Sequence, residues 1–141
     1  MVERSDIERF VEGGAQAINA GDWDAYGALF APDVVIRSPG APEGTVGREA
    51  RVQFGRAFAA AFPDARVEPI RAFSERDLVC IEVRFRVTHD GPIVSPGGEI
   101  PATGRVVEFP YCIVARFKDG EVVEMDEYFD QLAMMRQLGV V

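Results

Sequence analysis

PATGRVVEFPYCIVARFKDGEVVEMDEYFDQLAMMRQLG, the stretch Pro101–Gly139, decides the fold. It predicts a strand, a tight turn at Asp119-Gly120, a second strand and a short helix, because two alternating apolar runs flank an Asp-Gly pair. The second strand carries three acids, Glu124, Asp126 and Glu127. A buried carboxylate without a partner destabilises a protein strongly, so these acids need a structural or a chemical reason.

Composition predicts one globular domain that spans residues 1–141, of which 48% are hydrophobic and 27% are charged. The net charge of −8 argues against nucleic acid and anionic membrane surfaces as partners, since both need Lys/Arg-rich surfaces. The sequence has neither a membrane-spanning apolar run nor a signal-peptide pattern, and we therefore expect a cytoplasmic protein. Its 14 arginines against one lysine indicate a GC-rich bacterial genome. With one histidine, and with Cys80 and Cys112 in apolar strand contexts, we expect reduced thiols and no zinc-type metal site.

Three helices are predicted in the first half of the chain. The first begins with a capping box at Ser5–Glu8 and ends at Gly21, which suits a left-handed conformation. Asp22 caps a second helix over 23–30, and a third helix covers 47–62.

The remaining segments read as strands with period-two alternation. A short strand is predicted over 34–36, and longer ones over 66–73 and 78–88, whereas the Gly/Pro-rich residues 90–104 predict a long loop or a ragged hairpin. This order predicts an α+β fold, in which a curved antiparallel sheet has helices packed on one face.

Four motifs carry a resemblance to a known family: AFPD after the third helix, TH-x-G after a strand, PATG, and the closing YFDQL…QLG. They resemble the SnoaL-like polyketide cyclases of the nuclear-transport-factor-two-like superfamily, along with ketosteroid isomerase and limonene epoxide hydrolase. The resemblance covers nearly the whole chain. It implies a cone-shaped, cofactor-free domain whose sheet curls around an apolar pocket closed by the three N-terminal helices.

Strand alternation sorts the side chains of the sheet into two faces. The apolar set, assigned to the concave pocket face, comprises Val123, Met125, Glu127, Phe129, Phe109, Tyr111, Ile113, Ala115, Ile81, Val83, Phe85 and Val87. The charged set, assigned to the convex face for cross-strand pairing, comprises Glu82, Arg84, Arg86, Arg116, Glu124 and Asp126. The resemblance implies a homodimer through the convex face, and a solvated sheet face is the alternative.

Glu127 is the main candidate for chemistry. SnoaL-like cyclases place an acid/base Asp on this strand in an H-W-D pattern, and this chain has Met125-Asp126-Glu127 instead; limonene epoxide hydrolase also has its acid/base Asp here. The resemblance therefore implies that Glu127 transfers a proton next to the carbonyl of a small apolar compound, giving aldol-type cyclisation or isomerisation. An apolar wall favours a protonated carboxyl, which suits acid–base work near neutral pH. The alternative is a Glu127 that is ion-paired or solvated at the pocket mouth.

Related chemistries lack their residues in this chain. The positions of the general base and of the two oxyanion-hole residues of ketosteroid isomerase hold Ser38, Gly14 and Phe109, which excludes that design. The water-positioning pair of the epoxide hydrolases is replaced by Ile36 and Ser38, so epoxide hydrolysis is disfavoured.

The donor to a substrate carbonyl is left open among Tyr111, His89 and Tyr26. His89 is expected at the pocket rim, with a purely structural role as the alternative, and Asp130 is expected to cap the last helix. Asp126 is expected to pair with an arginine of the convex face. The ligand-lining set is predicted as Tyr26, Phe30, Ser38, Phe58, Phe85, Phe109, Met125 and Phe129.

Two classes of function therefore compete. One is an acid–base enzyme that acts on a small apolar carbonyl compound. The other is a non-catalytic module of the same fold that binds a ligand or a protein, which the missing histidine at Met125 favours. An epoxide hydrolase is the third, less favoured reading.

Overall fold

Two layers build the domain, a six-stranded sheet and a set of helices on one of its faces. The structure, a computed structural model, describes residues 1–95 and 97–141. The helices are α1 (Arg4–Glu8), a continuing π-helical turn (Arg9–Gly13), α2 (Gly14–Ala20), α3 (Trp23–Gly27), α4 (Arg48–Ala61) and α5 (Gln131–Leu138). The strands are β1 (Phe30–Ser38), β2 (Ala41–Val46), β3 (Arg66–Glu75), β4 (Leu78–Thr88), β5 (Ile93–Ser95), β6 (Gly98–Ile100), β7 (Val106–Lys118) and β8 (Glu121–Tyr128).

The sheet has the strand order β2-β1-β8-β7-β4-β3. Neighbours pair antiparallel except β1 and β8, which are parallel. The predicted α+β class and curved, mostly antiparallel sheet are confirmed. The Gly/Pro-rich segment contains the paired strands β5 and β6, which agrees with the hairpin and not with the long loop. Residue 96 of this segment lies outside the described residues.

Local signals for the ends of several elements are confirmed. Asp22 caps α3, because its carboxylate accepts the backbone N–H of Ala25 at 3.1 Å. Asp130 caps α5 in the same way by accepting the N–H of Ala133 at 2.9 Å. Gly21 is left-handed, with φ of 69°. Asp119 and Gly120 also have positive φ, 51° and 80°, as a two-residue hairpin between twisted strands requires.

Several elements differ from prediction, and β1 (Phe30–Ser38) extends the predicted strand over 34–36 in both directions. The first helix begins at Arg4 and not with a capping box at Ser5: the Asp6 carboxylate accepts the N–H of Glu3 at 3.3 Å. The second helix stops at Gly27, because Phe30 already pairs with Val122 of β8 as the first residue of β1. Strand β2 was not predicted, since its proline and glycine obscure the alternation; proline is tolerated there because β2 is an edge strand.

A β-bulge changes the facing of one end of β8. Arg116 pairs with Glu124 but Phe117 pairs with Val122, so Val123 is the extra residue. The assignment of Val123 to the pocket face is therefore wrong, and Val122 is fully buried in its place. Beyond the bulge, alternation holds, and Met125 faces the core as predicted.

Ion pairs cover the convex face of the sheet, although not all are the expected ones. Asp126 does not pair with Arg84, Arg86 or Arg116. Its carboxylate binds Arg37 of β1 at 2.8 Å, because the parallel β1–β8 pairing sets the two residues side by side. The homodimer expected through this face stays a prediction, which the molecular mass in solution tests.

The two cysteines lie beside each other on the same face, with 3.4 Å between their sulfur atoms. Both are free thiols. Burial, and then the hydrogen bond with Cys80, raises the pKa of Cys112 to about 11. A thiol that stays protonated is a poor nucleophile, so Cys112 is unsuited to thiolate chemistry.

Asp64 joins the end of α4 to the end of β4. Its carboxylate accepts the backbone N–H and the hydroxyl of Thr88, each at 2.7 Å. These bonds lower the pKa of Asp64 below its ordinary value. Asp64 belongs to the AFPD motif and Thr88 to the TH-x-G motif, so these hydrogen bonds join the two motifs.

Replacing Asp64 by Asn is expected to destabilise the protein more near neutral pH than in acid. Because the folded-state pKa is lowered, the ionised carboxylate stabilises the fold above the unfolded value of about 3.9 and this stabilisation is lost as the pH falls through the folded value. The effect is modest, since Asp64 is exposed. Urea unfolding of both proteins from about pH 5 toward 2 measures it, and a pH-independent difference contradicts it.

Within the described residues, the structure contains no helix that is both long and apolar enough to cross a membrane.

Candidate active site

A cavity of about 370 Å³ lies between the sheet and the helices. Its wall is mainly apolar, and aromatic rings stack along it: Phe85 on Tyr111 with centroids 4.7 Å apart, and Phe109 on Phe129 at 5.5 Å. The residues predicted to contact a ligand all line it, namely Tyr26, Phe30, Ser38, Phe58, Phe85, Phe109, Met125 and Phe129. Whether they contact a ligand stays a prediction.

Glu127 lines this cavity and has a charged partner that was not predicted from the sequence. The Arg51 guanidinium donates to both carboxylate oxygens of Glu127, at 2.9 and 3.1 Å. The two side chains are only 11% and 10% exposed. The lone carboxyl on an apolar wall that the sequence suggested is therefore one half of a buried, bidentate ion pair.

Tyr26 extends the pair into a chain of three polar groups. The Nε–H of Arg51 donates to the Tyr26 hydroxyl oxygen at 2.8 Å. The Tyr26 ring is buried and held edge-on by the rings of Trp23 and Phe30, with centroids 5.7 and 5.2 Å away. Burial raises the pKa of Tyr26, while the neighbouring Arg51 charge opposes that rise. Tyr26 therefore stays a neutral hydroxyl that can donate its proton.

Tyr111 is the second buried tyrosine of the cavity wall. Burial, followed by the nearby Glu127 charge, raises the pKa of Tyr111 well above its ordinary value. Among the hydrogen bonds of the described residues, none involves its hydroxyl. Tyr111 and Tyr26 are therefore both available as hydrogen-bond donors to a ligand oxygen.

The sequence did contain a signal for Arg51. Arg51, Gly55 and Phe58 are spaced at four and three residues on α4, so they share one face of that helix, and all three line the cavity. Gly55 lets the helix approach closely, since an added Cβ would lie 2.6 Å from the Trp23 ring. An arginine on an otherwise apolar helix face predicts a buried acid opposite it.

His89 is not at the cavity rim and does not meet Glu127. Its side chain is fully buried and packs against Phe62. Phe62 lines the cavity, whereas His89 does not. Its Nδ1 accepts the backbone N–H of Thr103 at 3.2 Å and contacts the Thr103 hydroxyl at 2.9 Å. The expected rim position is therefore wrong. The loop of the PATG motif covers the histidine, and its residues Thr103 and Gly104 form hydrogen bonds with His89.

Other possible sites are less suited to chemistry. An outer groove of about 590 Å³ runs between α3 and α4. Its Arg48 already donates to the Phe30 carbonyl and to Glu121. Throughout residues 1–95 and 97–141, no group of three His, Cys, Asp or Glu side chains could hold a metal ion.

Comparison with known proteins decides the family. The family model described as SnoaL-like polyketide cyclase matches residues 8–138. The chain belongs to the SnoaL-like family. The H-W-D pattern led us to expect a histidine at position 125. This chain has Met125 there, and the residue is only 1% exposed. In this chain the polar partner of the strand acid comes from α4 instead.

Several solved structures share the fold of this chain. IdmH from Streptomyces antibioticus, a proposed polyketide cyclase, is 34% identical, with 92% of this chain and 96% of that one covered and a TM-score of 0.74. TsrD from Streptomyces laurentii is 24% identical over 100% of both chains, with a TM-score of 0.85. A proposed SnoaL-like cyclase from Jannaschia sp. is 22% identical over 97% and 91%, with a TM-score of 0.82. The last two show the fold alone. No curated protein sequence matches significantly.

Proposed function

We propose that this protein is a cofactor-free acid–base enzyme that moves a proton next to the carbonyl group of a compact, mostly apolar substrate. The observation that carries the proposal is the buried Arg51–Glu127 pair, set in an aromatic cavity beside two tyrosine hydroxyls. Membership of a family of cofactor-free cyclases and isomerases supports it.

Glu127 is the base in this proposal. Its carboxylate takes a proton from the carbon next to the carbonyl, the C–H electron pair becomes a C=C bond, and the carbonyl π electrons move to the oxygen. The resulting enolate oxygen needs a hydrogen-bond donor, which Tyr26 or Tyr111 supplies. Glu127, now protonated, returns the proton in an isomerisation, or protonates the oxygen formed when the enolate carbon attacks a second carbonyl in a cyclisation.

The shape of the cavity limits the substrate. A volume of about 370 Å³ accommodates a compact molecule, and the aromatic wall of Phe58, Phe85 and Phe109 suits a flat apolar body. Tyr26, Arg51 and Glu127 are hydrogen-bonded to one another in its wall, so the reacting carbonyl is expected beside them.

A binding module is the competing function, and one observation favours it. Both carboxylate oxygens of Glu127 already accept hydrogen bonds from Arg51, so a substrate proton has to compete with the guanidinium for those oxygens. A base of this kind acts best on a relatively acidic C–H, as in a compound with two carbonyl groups flanking one carbon.

The experiment follows proton exchange in D₂O by NMR, using small cyclic 1,3-diketones as probes. The protein is expected to accelerate exchange of the hydrogens between the carbonyls, and Glu127→Gln is expected to abolish the acceleration. Glu121→Gln, which changes a carboxylate outside the cavity lining, is the matched control and keeps it. Binding of the probes without accelerated exchange supports the binding module, and undiminished exchange in Glu127→Gln removes Glu127 as the base.

A further inference from the structure

Arg51 and Tyr26 have hydrogen-bonding capacity that the protein itself does not use. A guanidinium carries five N–H groups, of which Arg51 directs two to Glu127 and one to Tyr26. The other two have no acceptor among the described residues. The Tyr26 oxygen accepts from Arg51, so its own O–H is left to donate, and the described residues supply no acceptor for it.

The two residues that carry these unused donors line the cavity. Arg51, Tyr26 and Glu127 all belong to its wall. A buried donor that finds no acceptor destabilises the empty protein, and an incoming oxygen removes that cost. The Phe54 ring lies 4.8 Å from the guanidinium carbon and covers one side of Arg51.

We propose that Arg51 and Tyr26 together form the subsite for the substrate oxygen that becomes negatively charged, and that Tyr26, in preference to Tyr111, donates the decisive hydrogen bond. This inference rests on the proposed function and deepens it. The substrate is a carbonyl compound that ionises to an enolate, and not one that enters as an anion, because the cavity already balances one positive charge with one negative charge.

Charge balance explains how Arg51 alone can pair first with Glu127 and then with the substrate oxygen. Before the reaction, Arg51 neutralises the Glu127 carboxylate. When Glu127 takes the proton, it becomes neutral and the negative charge moves to the substrate oxygen, within reach of the same guanidinium. The buried site therefore carries no net charge at either stage, which avoids the cost of an unpaired charge in an apolar surrounding.

Tyr26 is favoured over Tyr111 because only Tyr26 is bonded to the cation. A hydroxyl that accepts a hydrogen bond from a guanidinium becomes a stronger donor, since hydrogen bonds in a chain polarise one another. Tyr111 lacks such a partner and stacks on Phe85, so it contributes mainly to the aromatic wall.

The test uses 4-nitrophenol, a neutral compound whose ionised form has its own visible absorption band. At a pH below the pKa of the free phenol, binding to the protein is expected to produce the phenolate band, because the phenol gives its proton to Glu127 and its oxygen stays at Arg51 and Tyr26. Tyr26→Phe keeps the ring packing and is expected to weaken binding about 10- to 100-fold and to remove the band. Tyr111→Phe is expected to weaken binding by less than about 3-fold, and Tyr128→Phe, outside the cavity, leaves it unchanged.

A measurement on the unmutated protein makes the test independent of folding defects. The chain has three tyrosines, so a protein with ¹³C at the tyrosine hydroxyl carbons gives three resolvable signals. The Tyr26 signal is expected to shift on binding the phenol, and the Tyr111 signal to move less. A larger shift of Tyr111, the phenolate band persisting in Tyr26→Phe, or no phenolate band with the unmutated protein overturns the subsite.

The outcomes separate this inference from the proposed function. An intact phenolate subsite without accelerated exchange of 1,3-diketones contradicts the enzyme and keeps the subsite. Accelerated exchange that depends on Glu127, combined with unaltered phenol binding in Tyr26→Phe, keeps the enzyme and contradicts the subsite.

Discussion

Replacing Arg51 by Met is expected to lower the free energy of unfolding by about 3–5 kcal/mol. The substitution preserves much of the side-chain volume but leaves the Glu127 carboxylate, 10% exposed, without its cation in an aromatic cavity. It also removes the hydrogen bond to the Tyr26 hydroxyl. Urea unfolding followed by circular dichroism measures the change.

A double-mutant cycle separates loss of the pair from loss of packing. Arg51→Met combined with Glu127→Met is expected to recover most of the lost stability, because neither charge is then buried alone. Arg4→Met is the matched surface control: its partner Glu8 is half exposed, and the expected change is about 0.5 kcal/mol or less. If Arg51→Met costs no more than Arg4→Met, Glu127 is solvated at the cavity mouth, as the alternative interpretation of the sequence holds.

The stability of this pair bears on function, because the same pair supplies the proposed base. A buried ion pair is seldom the most stabilising choice for a cavity wall. If the Met–Met protein proves as stable as the original, the pair is retained at no gain in stability, which is the pattern of a functional site. That double variant is then also the cleanest inactive reference for the exchange experiment.

The sheet and its lining could be read from the sequence because strand alternation is a local property. In β4 and β7, every second residue from Ile81 to Val87 and from Phe109 to Ala115 was assigned to the apolar face, and each of those residues belongs to or packs against the buried clusters. The β7–β8 turn was predictable for a similar reason, since Asp119-Gly120 directly encodes two positive φ angles.

The polar centre of the site was not predictable in the same way. Arg51 lies 76 residues before Glu127, and only the packing of α4 on the sheet brings them together. The bulge at Val123 was not predicted, because Val122 and Val123 are both apolar and the alternation of β8 looks the same with either residue facing the core. His89 was misplaced because its partner Thr103 lies on a loop that has no periodicity to read.

Gly91→Ala is the other substitution expected to damage the fold severely. A Cβ at this position would lie 1.9 Å from the carbonyl oxygen of Ala60 and 3.0 Å from its carbonyl carbon. Both groups are backbone, and the Gly91 N–H donates to the Ala61 carbonyl at 3.0 Å, so neither side can yield without breaking that bond. The expected loss is about 3 kcal/mol, at the upper end for overpacking, measured by urea unfolding.

Gly13→Ala is the matched control, since the nearest atom to its added Cβ is 3.9 Å away and the residue is helical. It is expected to be neutral or to stabilise the protein by roughly 0.5–1 kcal/mol. Because the end of α4 that Gly91 contacts is followed by Phe62 in the cavity wall, Gly91→Ala should also weaken binding of 4-nitrophenol, whereas Gly13→Ala should not. Equal stability of the two variants would mean that α4 does not approach the end of β4 this closely, and the close packing between the AFPD and TH-x-G motifs would then be wrong.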